Sequence, residues 1–364
     1  MQIGCTKKLQ DELGLVFQDG AENNDLFCWS AHLITVNRRK TLVIVNDSNR
    51  FGFVLHGMKA KDFKNLNEHI TQGIRNCLRD EKIKDEIIEQ YLQTAGDLVF
   101  SKTRGKKCVA RLNKACERVE VFNDSLDPGV LFQTIATRHL NTDLIKTDKE
   151  SGYEYPYELL SKDFEQFAGK QFISCEAVDL MIKLDLGRMT AWRRIITPVD
   201  ITFKQLHAII QVAFNWKSSH LYGFNIFDPA GKCVLNVISE FEEVYEPPQD
   251  VKILIDSEVK LPEYVHEQYK IDYCYDYGDN WEHEIIIREM INYYEKNYPV
   301  CLMGEGNAPP EDVGGISGYE EFLAIISDPK HEDYENTRRW AQGQWYRDFD
   351  IDLVNRRLKN ILRR

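Results

Sequence analysis

The sequence predicts two α+β domains, each a mainly antiparallel sheet with packed helices. Three observations support this. The chain has 364 residues, more than one ordinary hydrophobic core organises. Apolar residues make up 43% and charged residues 29%, a globular mixture and not a disordered one. Apolar, β-branched runs come in groups, and groups of helical periodicity follow them, instead of alternating one for one. The expected division is 1–125 for an N-terminal α+β domain, 126–169 for a helical and polar linker region, and 170–364 for the C-terminal domain.

The N-terminal domain opens with a short strand, Gln2–Cys5, and a helix from Thr6 to about Leu13. Three apolar runs within 26–56 are split by Asn37-Arg-Arg-Lys40 and Asn46-Asp-Ser-Asn49. Such turn clusters predict three adjacent antiparallel strands. Helices are expected near 60–79 and 82–95, a strand at Asp97–Thr103 and a helix at Lys107–Val121. Asp127-Pro-Gly129 is a turn signal, followed by a helical piece near 130–140 and the polar stretch Asn141–Gly152.

In the C-terminal domain, strands are expected at Ala177–Leu186 and Trp192–Thr197, stopped by Pro198. Thr202-x-x-Gln205 has the form of a capping box. Phe203, Leu206, Ile210 and Ala213 then recur at helical spacing, so 203–214 reads as an amphipathic helix. His220–Phe227 and Val251–Ile255 read as strands, and 270–289 as a hairpin. A loop rich in glycine and proline, near 296–317, leads to helices near 318–327, 331–342 and 350–362.

Composition narrows the function. No run approaches the roughly 18 apolar residues of a membrane helix, and the first residues lack a secretory layout. No membrane partner and a cytoplasmic location are expected. The nine cysteines are scattered without a Cys-x-x-Cys pair, which argues against a thiolate zinc site. Residues 1–150 hold 23 Lys and Arg against 21 Asp and Glu; residues 151–364 hold 23 against 37. The C-terminal half therefore repels a phosphate backbone over most of its surface. No phosphate loop, dinucleotide fingerprint or nucleophile elbow is present.

The hairpin Tyr273–His283 is the most informative segment. A three-residue turn flanked by Tyr277 and Trp281 would set Tyr275 opposite His283 and Asp276 opposite Glu282. Tyr275, Asp276, Asp279 and Trp281 are candidate binding residues, with the aromatic face either a stacking platform or the packed side of the sheet. His207, His220 and His283 are candidate ligands for a divalent metal, although their spacing matches no metal motif. Glu311 and Asp312 in the acidic loop are candidate catalytic bases. Arg193 and Arg194 follow each other in a strand, so they point to opposite faces; either a structural bond to a carboxylate or anion binding fits them. Lys106 and Lys107 head the strongest positive patch, a candidate phosphate contact or a solvated turn.

Several blocks occur in a telling order: Trp192-Arg-Arg-Ile, Leu206-His-x-x-Ile-Gln211, Trp216-x-x-x-His220-Leu, Tyr275-Asp-Tyr-Gly-Asp-x-Trp-x-His283, Pro299-x-Cys, Gly304-Glu-Gly-x-x-Pro-Pro-Glu-Asp-x-Gly-Gly-x-x-Gly-Tyr319 and Asp350-x-x-x-Val-Asn-Arg-Arg-Leu358. Over about 190 residues the chain resembles the plasmid pRiA4b ORF-3-like family. The resemblance implies an origin on mobile elements and assigns no activity; the resolvase label attached to some relatives has no serine-recombinase pattern behind it here. Many relatives carry cysteines where this chain has Ala308 and Val313, so a thiolate site in that loop is excluded. The N-terminal half resembles a small uncharacterised domain through Asn37–Lys40, Asn46-Asp47 and Lys61-Asp-Phe63.

Two functions follow as expectations. One is an accessory recognition protein that binds a protein or nucleic-acid partner. The other is a metal-assisted hydrolase acting on a phosphoester. A hydrolase requires the histidines and carboxylates to converge on a cleft, whereas a recognition module requires an exposed apolar or basic surface.

Overall fold

A computed structural model describes residues 1–147, 152–240, 251–265 and 269–363. They form two compact units, Met1–Ser174 and Cys175–Arg364, both mixed α+β with mainly antiparallel sheets.

The first unit has a five-stranded sheet. Its strands are β1 (Gln2–Cys5), β2 (Cys28–Val36), β3 (Arg39–Asn46), β4 (Gly52–His56) and β5 (Val99–Lys102), in the order β4-β3-β2-β1-β5. The meander β2-β3-β4 is antiparallel as its turns predict, while β1 runs parallel to both β2 and β5. Parallel neighbours need crossover connections. Helix α1 (Lys7–Leu13) serves the first; α2 (Ala60–Lys64), α3 (Leu66–Asp80) and α4 (Asp85–Ala95) lie between β4 and β5. Helices α5 (Gly105–Val121) and α6 (Thr134–Asn141) follow.

Both faces of this sheet are buried. Ile3, Trp29, Leu42, Ile44 and Phe53 share one core with Ile70, Ile74 and Ile87. Val43, Val45 and Val54 share a second with Leu112, Val119 and Leu140. Burial on two sides explains the continuous apolar runs of β2 to β4.

The region expected as a linker contributes to the first core. After the ribbon of β6 (Ile145–Lys146) and β7 (Tyr153–Glu154), helix α7 (Pro156–Ala168) buries Tyr157, Leu160 and Phe164, which recur at helical spacing on one face. The polar residues 148–151 lie outside the described residues.

The second unit is built on eight strands: β8 (Cys175–Leu186), β9 (Met189–Pro198), β10 (Tyr222–Phe227), β11 (Cys233–Ile238), β12 (Lys252–Ile255), β13 (Lys270–Tyr275), β14 (Trp281–Tyr294) and β15 (Val300–Glu305). Their order is β12-β11-β10-β13-β14-β8-β9-β15, and every pairing is antiparallel except β11 with β12. Helix α8 (Phe203–Phe214) begins with the expected capping box: Thr202 Oγ1 accepts the Gln205 N–H at 3.3 Å, and Gln205 Oε1 accepts the Thr202 N–H at 3.0 Å. Its apolar residues Phe203, Leu206, Ile210 and Ala213 are buried in the core of the unit. A short α9 (Pro262–Val265) precedes the hairpin, and α10 (Gly315–Ser327), α11 (Tyr334–Gly343) and α12 (Ile351–Leu358) close the chain.

Two expectations need correction. The hairpin register is two residues off, because the turn is longer than expected. Tyr275 pairs with Trp281 and Tyr273 with His283. Asp276 and Asn280 both take left-handed backbone angles, φ 57° in each, and Asn280 N–H bonds the Asp276 carbonyl. The shift is even, so the same side chains stay on the same face. Cys274, and not Asp276, lies opposite Glu282. Secondly, part of the expected 296–317 loop is the edge strand β15, hidden from sequence periodicity by a bulge between Cys301 and Met303.

Candidate functional site

Three segments meet beside the hairpin turn. One leads from α8 into β10 and carries His220. The second is the turn itself, with Asp276. The third is the strap between β15 and α10, with Glu311 and Asp312. His220 Nε2 lies 3.0 Å from Asp312 Oδ1, 3.5 Å from Asp276 Oδ2 and 3.6 Å from Glu311 Oε2. This nitrogen has no contact with solvent and makes no hydrogen bond. One atom each of His220, Asp276 and Asp312 lie within 4.8 Å of one another.

Local chemistry fixes each carboxylate. Asp276 Oδ1 accepts the N–H groups of Gly278 (3.0 Å) and Asp279 (3.3 Å), a turn-forming pattern that leaves Oδ2 facing His220. Asp312 has φ 59°, a backbone state that Asp tolerates better than most residues. Glu311 is buried and fully engaged: it accepts the Lys217 N–H at 2.7 Å and the Tyr275 hydroxyl at 3.0 and 3.1 Å. Burial and the neighbouring Glu311 raise the Tyr275 phenol, so it remains a donor. The Tyr275 oxygen in turn accepts the Ser219 N–H at 3.0 Å.

The strap is pinned along its length. Trp216 Nε1–H bonds the Pro309 carbonyl at 2.9 Å. Asn307 donates to Asp348 at 2.8 Å and accepts from the Phe349 N–H at 2.9 Å. Asp279, at the hairpin tip, accepts the Gly314 N–H at 3.1 Å.

His207 and His283 do not join His220, which corrects the three-histidine metal set. The Tyr273 hydroxyl accepts from Gln211 at 3.1 Å and pairs with His207 Nδ1 at 2.7 Å, while the His207 ring stacks on Tyr222 at 3.4 Å. His283 Nδ1–H donates to the carbonyls of Trp281 (3.0 Å) and Tyr273 (3.3 Å), with its ring edge-on to Phe214 and Trp216. Burial lowers both imidazoles to about 3. They are neutral core residues.

The aromatic face is likewise core and not a stacking platform: Tyr273, Tyr275 and Trp281 are all buried. Tyr277, in the turn, is exposed; its hydroxyl lies across Gly223, where a Cβ would come within 2.7 Å of it.

The two arginines are structural. Arg193 is 2% exposed and bonds only carbonyls: Ala213 (2.9 Å), Trp192 (2.8 Å), Glu305 (2.9 Å) and Gly306 (2.9 Å). Its guanidinium packs 3.8 Å from the Phe349 ring and 4.8 Å from Phe214, and burial lowers it to about 10. Arg194 forms a fork on the buried Asp179, at 2.6 to 3.2 Å.

Lys106 and Lys107 lie in the first turn of α5, in the other unit. The basic residues near them in sequence face acids: Lys102 is 3.8 Å from Asp19 and Arg104 is 2.6 Å from Asp25. Among the described residues no helix is long and apolar enough to cross a membrane.

Residues 176–357 match the family model described as plasmid pRiA4b ORF-3-like protein, which is half of the chain. The chain belongs to that family. Residues 2–159 match a domain of unknown function (DUF6933). An uncharacterized protein, y4hQ, of Sinorhizobium fredii is 33% identical over 180 residues, covering 49% of this chain and 86% of its own length. A protein of unknown function from Methanosarcina mazei Go1, known as a crystal structure, is 30% identical over 50% of this chain and 94% of its own, with a TM-score of 0.40.

Within the pRiA4b ORF-3-like domain, all four members of the cluster fall in the matched segment. Sequence reasoning missed the Lys217 and Ser219 N–H donors, which no side-chain pattern reveals. It also missed Asp179, whose signal was legible: a lone acid inside the apolar run Ala177–Ile182 needs a partner.

Proposed function

We propose that the protein is an accessory binding protein, and that its pRiA4b ORF-3-like domain takes a positively charged group at the His220 centre. The observation that carries this reading is the sealed, unbonded His220 Nε2 among three carboxylates. Three acids drawn together repel one another unless a positive charge compensates them. The acidic balance of residues 151–364 points the same way and disfavours a phosphate backbone as the ligand of this face.

The hydrolase reading has less support. Glu311 has both oxygens engaged by Tyr275 and one also by Lys217, which leaves a poor general base. Two of the three histidines expected to hold a metal lie in the core. The link to mobile elements rests on the family's plasmid name.

A hexalysine peptide tests the proposal by titration at low salt, read on the His220 imidazole resonances. We expect saturable shifts that vanish in Asp276→Asn/Asp312→Asn. Hexaglutamate binding with equal strength, or hexalysine binding that the double variant keeps, refutes it.

A further inference from the structure

We infer that His220, Asp276 and Asp312 form a binding site for one divalent transition-metal ion. The inference rests on the cation-binding reading above and specifies its chemistry.

Donor spacing is the first argument. Bonds of about 2.1 Å place neighbouring ligands about 3.0 Å apart at right angles and about 3.4 Å apart at the tetrahedral angle. His220 Nε2 is 3.0 Å from Asp312 Oδ1 and 3.5 Å from Asp276 Oδ2. Those are ligand separations, and neither contact is a hydrogen bond.

The state of the nitrogen is the second argument. A buried polar atom without a partner calls for an explanation; His283 Nε2 and Trp281 Nε1 are others, but His220 Nε2 has carboxylate oxygens 3.0 to 3.6 Å away. An imidazole nitrogen aimed between two carboxylate oxygens, shielded from water, is placed as a ligand lone pair would be.

Support behind the ligands is the third. Asp276 keeps Oδ1 for the turn and turns Oδ2 to the centre. Glu311 approaches from behind at 3.6 Å, held by Tyr275 and Lys217, and acts as an outer acceptor that fixes the strap. Outer contacts of this kind orient metal ligands. Both Asp276 and Asp312 occupy left-handed backbone states, which surrounding structure must impose.

The ligand set selects the ion. One imidazole with two carboxylates suits Zn²⁺ or Mn²⁺; Ca²⁺ and Mg²⁺ prefer all-oxygen shells. Three protein ligands leave positions open, and Asp312 is on the exposed side of the centre.

The test is calorimetric titration of chelator-treated full-length protein with Zn²⁺, Mn²⁺ and Mg²⁺. One Zn²⁺ per chain is expected, weakened at least tenfold in His220→Asn and in Asp312→Asn, with Mn²⁺ weaker and Mg²⁺ undetectable. Asn keeps the left-handed backbone at 312, so that variant remains folded even if His220→Asn does not. His331→Asn, distant in sequence and exposed, is the control that retains binding. Failure to bind Zn²⁺ or Mn²⁺, or full retention in Asp312→Asn, overturns the metal site. If hexalysine still binds while metals do not, the metal site falls and the recognition reading stands alone. If neither binds, both readings fall.

Discussion

Asp279 accepts the backbone N–H of Gly314 at 3.1 Å, which ties the tip of the β13–β14 hairpin to the residue before α10. The carboxylate does the work of a helix cap from another part of the chain. Asp279→Ala should lower the stability of the C-terminal unit by about 1 kcal/mol, the usual size of a lost cap. Asp279→Asn should recover most of that. Urea unfolding midpoints decide it; equal midpoints for the wild type and Asp279→Ala would show the bond to be idle.

Acid should destabilise the protein through His207 and His283. Burial holds both imidazoles down to about 3, against about 6.5 in an unfolded chain. Between those values the unfolded chain binds protons that the native state refuses, so stability falls as pH drops from neutrality. At about pH 5 each histidine should remove about 2 kcal/mol relative to neutral pH. Asp256, raised by burial, works in the opposite sense as it protonates in the carboxylate range. Urea unfolding at pH 7.5 and pH 5 measures the sum, to which His32, His56 and His139, also lowered by burial, add; His283→Gln should remove about 2 kcal/mol of the acid sensitivity.

Arg193→Lys should be severe although charge is conserved. The guanidinium satisfies four carbonyls and packs over the rings of Phe349 and Phe214. An ammonium has three donors and no plane. Leaving even one or two of these buried acceptors unpaired costs about 2–4 kcal/mol. Thermal unfolding that stays within a degree of wild type would contradict the role assigned to Arg193.

Asn355→Ala should expose a strand edge. Asn355 on α12 accepts the Cys301 N–H at 2.8 Å and donates to the Cys301 carbonyl at 2.9 Å, as a neighbouring strand would. Loss of both bonds should cost about 1–2 kcal/mol and leave β15 open to pairing with other chains. Light scattering at rising concentration reads the second effect; a monodisperse variant would refute it.

Much of this was legible in the residues. The capping box, the periodicity of α8 and the wording of the hairpin each signal a local structure that local physics enforces. His220, Asp276, Glu311 and Asp312 were all nameable as candidates by type. What sequence could not do was separate His220 from His207 and His283, since three identical side chains differ only in what folds around them. Arg193 and Arg194 show the same limit: one meets carbonyls contributed from Ala213 to Gly306, the other an acid on the adjacent strand. The hairpin register failed because Asp276 and Asn280 turn left-handed, which lengthens the loop without changing its composition.

Strand order in the second unit also bears on how the chain comes into being. Strands β8 and β9 are made first, yet their outer neighbours β14 and β15 are among the last strands to leave the ribosome. For that interval the nascent hairpin has two bare edges and a strongly apolar sequence. Asp179 on β8 and Arg194 on β9, bonded at 2.6 to 3.2 Å in the finished sheet, put an acid and a base on those bare strands, and charge on an open strand disfavours stray pairing.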